Sequence, residues 1–115
     1  MAEKLYLGLD IGGTAIKAGI CDGEGRLLHA VEGPTEGGQG AERILQNAAR
    51  CARRCAEESQ HGWDRIVAVG VGVPGFLDAV RGIVKFAPNL PLAGFPLRDR
   101  LAEALGKPVS VGNDA

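Results

Sequence analysis

Aromatic side chains are scarce in this sequence. Tyr6, Trp63, Phe76, Phe86 and Phe95 are all that 115 residues contain, too few for a core built on packed rings. Long hydrophobic runs are also missing: no apolar stretch approaches the roughly 20 residues needed to span a bilayer. Neither sign of charge is in excess, since 13 basic residues face 14 acidic ones and leave a net charge of −1. That balance removes the electrostatic case for nucleic acid or an anionic membrane as a partner. Cysteine is limited to Cys21, Cys51 and Cys55, an odd number with no CxxC pair and no histidine at metal-ligand spacing. A zinc site is therefore a poorer reading than buried apolar thiols. Met1-Ala2-Glu3-Lys4 leads straight into a strand-like segment with no signal-peptide pattern, so a reducing cytoplasm is the expected location.

What is abundant is glycine. Eighteen glycines point to several close backbone approaches. Hydrophobic residues at 45 % and charged residues at 23 % match a folded globular chain rather than a disordered one. The length supports one core and not two.

Lys4 to Asp10 reads as a buried strand, Ile11 to Thr14 as a tight turn, and Ala15 to Cys21 as a second strand. Asp22-Gly23-Glu24-Gly25 is a hairpin turn in which Gly23 and Gly25 can take positive φ, and Arg26 to Val31 makes a third strand. A polar loop from Gly33 to Gly40 leads into a helix over Ala41 to Ser59, with Ile44, Ala48, Cys51 and Cys55 on its buried stripe. Arg65 to Val73 is nearly all apolar, the pattern of a strand buried on both faces. Phe76 to Phe86 is a short excursion turning at Arg81-Gly82, and Pro96 is placed to open a second helix with Leu97, Leu101 and Leu105 inward. Gly106 and Pro108 end that helix before a last strand at Val109 to Val111. Three antiparallel strands followed by helical crossovers give an α/β fold, a mixed sheet with helices on its faces, in the order of a ribonuclease H-like, actin-type ATPase lobe.

Four short motifs carry chemistry. Asp10-Ile11-Gly12-Gly13-Thr14 ends a strand; its glycines let backbone N–H groups approach phosphate oxygens, the Thr14 hydroxyl adds a donor, and Asp10 can hold Mg²⁺. Lys17 adds positive charge nearby. Neither GxxxxGK[ST] nor GxGxxG is present, and an ordinary Gly-Gly hairpin explains the motif equally well. Gly70-Val71-Gly72-Val73-Pro74-Gly75 closes a strand, either as simple punctuation or so that the backbone at Gly75 can lie against a polyhydroxylated ligand. Ala87-Pro88-Asn89-Leu90 offers an amide suited to vicinal hydroxyls, and is also common turn chemistry. Gly112-Asn113-Asp114 ends the last strand, where open α/β sheets bind ligands; Asp114 can accept a hydroxyl proton, or simply cap a following helix.

Taken in order, DIGGTAIKAGI, VGVGVPGFLD, GIVKFAPNLPLAGFPL and PVSVGNDA resemble the ROK family of sugar kinases and repressors, its bacterial glucokinases most of all, from about Lys4 to Ala115. The resemblance implies a phosphotransferase that uses ATP and Mg²⁺ on a hexose, with glucose going to glucose 6-phosphate. It places Asp10, Gly12, Gly13, Thr14 and Lys17 at the ATP phosphates. Gly75, Pro88, Asn89, Asn113 and Asp114 fall in the sugar site, with Asp114 as general base. It also implies that residues 1–115 form the N-terminal lobe of a two-lobe enzyme that is a homo-oligomer at full length. The adenosine pocket and a structural zinc would then belong to the second lobe, which this chain lacks. Other hexoses or N-acetylhexosamines are alternative substrates. Two further alternatives are the sugar-sensing module of a repressor and a ribonuclease H-like nuclease, but the latter leaves Gly12-Gly13-Thr14 and Pro88-Asn89 without a role.

Overall fold

The computed structural model describes residues 3–113. The chain opens with β1 (Leu5–Ile11), β2 (Ala15–Cys21) and β3 (Leu27–Pro34), continues through α1 (Ala41–Ser59) into β4 (Ile66–Val73), then forms β5 (Phe76–Asp78), β6 (Ile83–Phe86), α2 (Leu97–Leu105) and β7 (Val109–Asn113). Five strands make one sheet in the order β3-β2-β1-β4-β7, and β5 and β6 form a separate hairpin. The pairs β1–β2 and β2–β3 are antiparallel, whereas β1–β4 and β4–β7 are parallel. This is the mixed sheet expected of an actin-type lobe.

Alternation explains which face is covered. Leu5, Leu7, Leu9 and Ile11 of β1, Ile16, Ala18 and Ile20 of β2, and Ile66, Val69, Val71 and Val73 of β4 are all buried. Their partners in register are one another: Leu7 sits opposite Ile20 and beside Val69, Leu9 opposite Ala18 and beside Val71. Onto this face pack Ile44, Ala48, Cys51 and Cys55 of α1 and Leu97, Leu101 and Leu105 of α2. The Cys51 and Cys55 thiols donate to the carbonyls of Ile16 and Ala18 in β2. Burial raises both thiol pKa values, that of Cys55 to about 11 with the neighbouring Cys51 adding to the rise. The Arg100 guanidinium of α2 grips the Glu42 carboxylate of α1 through two bonds of 2.6 and 2.7 Å. Among the described residues no helix is long and apolar enough to cross a membrane.

The second sheet face is nearly bare. Ala30, Gly19, Gly8, Gly70 and Ser110 lie side by side across all five strands. Strand β4 is therefore not buried on both faces as its apolar run suggested, because Gly70 is exposed and Ala68 and Gly72 are only half-buried. Its sequence alternates large and small residues, which a hydropathy pattern does not separate. A register shift leaves Val67 without a partner between Ile66 and Ala68, which restores the alternation after two successive large residues.

Other boundaries shift for local reasons. β3 runs on through Gly33 and Pro34 because Ala15 and Ile16 remain available to pair with them, so the loop is shorter than expected. Pro96 precedes the first helical residue of α2 instead of occupying it. In the β2–β3 turn only Gly25 has positive φ, at 83°; Gly23 does not need it, since the buried Asp22 carboxylate shapes the turn. Its Oδ1 accepts the N–H groups of Glu24 and Arg26, each at 2.9 Å. The Arg26 N–H bond in particular holds the Asp22 carboxyl below its ordinary pKa.

A group with a depressed folded-state pKa contributes stability above its unfolded value and loses it as pH falls through the folded one. Asp22→Asn keeps an acceptor oxygen but not the charge. Wild type should melt above this variant at pH 7, and the gap should close as the pH is lowered below about 3.9, the ordinary Asp value. Thermal melts by circular dichroism across that range check it.

Candidate functional site

Because β1, β4 and β7 run parallel, their carboxyl ends emerge at one edge, the usual position for a ligand in an open α/β sheet. The turn after β1 is closed by a bond of 2.9 Å from the Gly12 N–H to the Ala15 carbonyl. A β-carbon on Gly12 would stand 3.0 Å from that same oxygen, so the tightness of the turn itself asks for glycine. Gly13 differs. It is exposed, and the nearest atom to a β-carbon placed there is Asn89 Cβ at 4.0 Å. The tip formed by Gly13 and the exposed Thr14 is therefore open on its outer side, with half-buried Asp10 at its root.

At the end of β4, Gly75 has φ 118°, and a β-carbon there would come within 2.0 Å of the Phe86 carbonyl oxygen and 2.9 Å of Ala87 Cα. The space its missing side chain leaves is filled by the returning backbone of the β5–β6 hairpin. That packing alone asks for glycine at this position, whatever else the backbone there meets. Gly75 also accepts a hydrogen bond from the Asn113 side-chain amide, which ties the end of β7 to the end of β4.

The backbone pressed against Gly75 continues into the Asn89 loop. Ala87, Leu90 and Leu92 are buried and anchor it, while Pro88 and Asn89 remain exposed. The Leu90 N–H closes the turn onto the Ala87 carbonyl at 3.2 Å, and Asn89 has φ 61°. Pro followed by a residue of positive φ is the signature of a type II turn. Turn geometry and an outward-facing amide are thus two aspects of the same residue. A short 3₁₀ turn at Gly37–Gln39 lies behind this loop, where a β-carbon on Gly37 would contact Leu90, the Asn89 carbonyl and Pro91.

Gly12, Gly13, Gly75, Pro88, Asn89 and Asn113 thus form one neighbourhood. Lys17 is placed differently. Its partners across the strands are Asp10 and Glu32, so it stands between two acidic residues on the open sheet face, beside a shallow depression of about 320 Å³ that Asp10, Gly8 and Gly19 also line. Asp114 lies outside the described residues. Among the described residues no three His, Cys, Asp or Glu side chains converge. A divalent cation near Asp10 would have to draw most of its ligands from phosphate and water, which is how Mg²⁺ is commonly held.

Sequence reading did not find Thr35, Asn47 or Glu36. Thr35 is fully buried and bonds to both ends of the glycine turn: its hydroxyl donates to the Gly12 carbonyl at 2.7 Å and its N–H to the Thr14 carbonyl at 3.0 Å. The Asn47 amide, buried in the middle of α1, donates to the Thr35 carbonyl at 3.1 Å and to Glu36 Oε1 at 2.8 Å. That amide, followed by the Arg43 guanidinium, lowers the Glu36 carboxyl pKa. One signal was available: an Asn on an otherwise apolar helix stripe must find partners when buried.

The sequence model of the ROK family matches residues 6–115. A glucokinase of Streptomyces coelicolor is 40 % identical over 113 residues, covering 96 % of this chain and 33 % of its own. A crystal structure of the ROK hexokinase of Thermus thermophilus superposes with a TM-score of 0.87 at 44 % identity, covering 96 % of this chain and 35 % of that one. A ROK family glucokinase of Streptomyces griseus, solved in complex with glucose and AMPPNP, gives a TM-score of 0.86 at 39 % identity, covering 96 % of this chain and 33 % of that one. The chain spans about a third of the length of the curated relatives it matches. These structural neighbours share the actin-like ATPase fold.

The two glycines predict opposite outcomes. Gly75→Ala should cost about 3 kcal/mol or more, because a positive φ and a backbone clash act together. Gly13→Ala meets open space and should change stability by less than about 1 kcal/mol. Urea denaturation of the two variants beside wild type checks the contrast.

Proposed function

Since the chain belongs to the ROK family, we propose that it is the first lobe of a two-lobe ATP-dependent hexose kinase, and that the hexose is glucose. The observation that carries this reading is the nearness of Gly13 to Asn89, whose Cβ is the nearest atom, at 4.0 Å, to a β-carbon placed on Gly13. A turn suited to phosphate oxygens and a loop amide suited to sugar hydroxyls lie side by side at the carboxyl edge, as transfer from one ligand to the other requires. That the Streptomyces griseus relative was solved with glucose and AMPPNP supports the same pairing.

In this reading ATP supplies the phosphoryl group, accompanied by Mg²⁺. Backbone donors at Gly13 and Thr14 would meet its phosphate oxygens, and Asp10 would help hold the cation. Asn89 and Asn113 orient the sugar. Asp114, next in sequence after Asn113, takes the proton of the 6-hydroxyl as its oxygen bonds to the γ-phosphorus and the bond to the ADP oxygen breaks. Little covalent chemistry is asked of the protein; positioning and charge placement do most of the work. Pro88-Asn89-Leu90, which resembles the glucokinase branch, favours glucose over mannose or an N-acetylhexosamine.

Asp114→Asn in the intact protein tests the mechanism. The amide still hydrogen-bonds a hydroxyl but cannot accept its proton, so kcat should fall about 10²–10⁴-fold while the glucose dissociation constant changes far less. Were Asp114 only a helix cap, Asn would serve as well, and both melting temperature and rate would survive. A variant keeping more than roughly a tenth of wild-type kcat removes Asp114 from the base role. Coupled ADP-release assays on a panel of hexoses decide the substrate, and sugar-dependent DNA binding without ADP release would reverse the kinase reading altogether.

A further inference from the structure

We infer that Thr35, held by Asn47, is the positioning residue that sets the direction of the Gly13 N–H, and so tunes affinity for the polyphosphate of ATP without touching it. The inference rests on the phosphate-binding role proposed for the Gly12–Thr14 turn.

The geometry of the peptide unit makes the argument. In a trans peptide the carbonyl and the following N–H point in opposite directions. The Gly12 carbonyl and the Gly13 N–H belong to one such unit, and no peptide bond among the described residues is cis. The Thr35 hydroxyl pulls the Gly12 carbonyl inward at 2.7 Å, so the Gly13 N–H is aimed away from Thr35. Without that bond a unit between two glycines has unusual freedom to rotate. The Thr35 N–H holds the Thr14 carbonyl at 3.0 Å, so both ends of the turn are fixed by one residue.

Thr35 is itself held. Its carbonyl accepts from Asn47, whose amide nitrogen also binds Glu36. Glu36 has φ 56° and ψ 46°, a left-handed conformation uncommon for a residue with a side chain. Such a conformation persists where surrounding contacts determine it, and here Asn47 and Arg43 both bind the carboxylate. Asn47 sits among apolar neighbours on α1 at 6 % exposure. A Leu there would serve packing alone; the amide links the helix to the turn.

The test uses four variants of the intact protein and separate ATP and glucose titrations. Thr35→Val keeps shape and removes the hydroxyl. It should raise KM for ATP about tenfold, the effect of losing roughly one buried hydrogen bond, with KM for glucose within about twofold of wild type. Thr35→Ser restores the hydroxyl and should bring KM for ATP back to within about twofold. Asn47→Leu carries the same test from the other end if Thr35→Val does not fold, and should also raise KM for ATP selectively. Gly13→Val separates the two levels of the argument. If it raises KM for ATP while folded Thr35→Val and Asn47→Leu change only the melting temperature, the phosphate role stands and the positioning role is overturned. If Gly13→Val leaves KM for ATP unchanged, the phosphate role falls and the positioning role with it.

Discussion

Strand β1 is hydrogen-bonded along both edges, antiparallel to β2 on one side and parallel to β4 on the other. That double pairing is the constraint from which the remaining structure follows. Its four inward side chains, Leu5, Leu7, Leu9 and Ile11, are almost wholly buried, so β1 cannot shift by one residue without turning that row outward. Fixing β1 fixes where the Gly12–Thr14 turn emerges. The parallel partners β4 and β7 then deliver Gly75 and Asn113 to the same edge, and the hairpin that follows Gly75 brings back Asn89. Residues spread over some hundred positions meet because one strand has no freedom of register.

Much of the candidate site depends on backbone rather than on side chains. Gly12 is required by a turn that would bring its β-carbon to Ala15, Gly75 by the passing hairpin, and Asn89 adopts positive φ to close its own turn. Each of these residues occupies a place where the main chain comes unusually close to something. The scarcity of large aromatic residues and the abundance of glycine are consistent with that design. Charged side chains, in contrast, mostly lie at the periphery, as Arg100 and Glu42 do where α2 meets α1.

Local patterns were readable where local physics decides them. The bounds of α1, Ala41–Ser59, follow from helical spacing and the stripe of Ile44, Ala48, Cys51 and Cys55, and β2 is delimited by glycine-rich turns on both sides. The glycine turn and the Pro88-Asn89 loop were recognisable as motifs, but their nearness depends on tertiary packing and on β5–β6 folding back over Gly75. Three features escaped for distinct reasons. The bare face of β4 was hidden because Ala and Gly score as apolar while covering little. The hairpin packed on Gly75 went unseen because a sequence does not show which backbone returns. Thr35 and Asn47 stand 12 positions apart in unlike contexts, a polar loop and an apolar helix face, and only the packing of α1 against the β3 end brings them together.

The two thiols on α1 have a consequence for how this chain responds to oxidants and alkylating reagents. Electrophiles react with thiolate, and a Cys55 pKa of about 11 leaves only about one thiolate in ten thousand at neutral pH. Cys51 shares the burial and the upward shift, and both sulfur-bound protons are directed at carbonyls of β2. Cys21, half-buried and paired across from exposed Tyr6, lies on the other side of the sheet. Cys51 and Cys55 are therefore the shielded thiols of the folded chain, and Cys21 is the more accessible one.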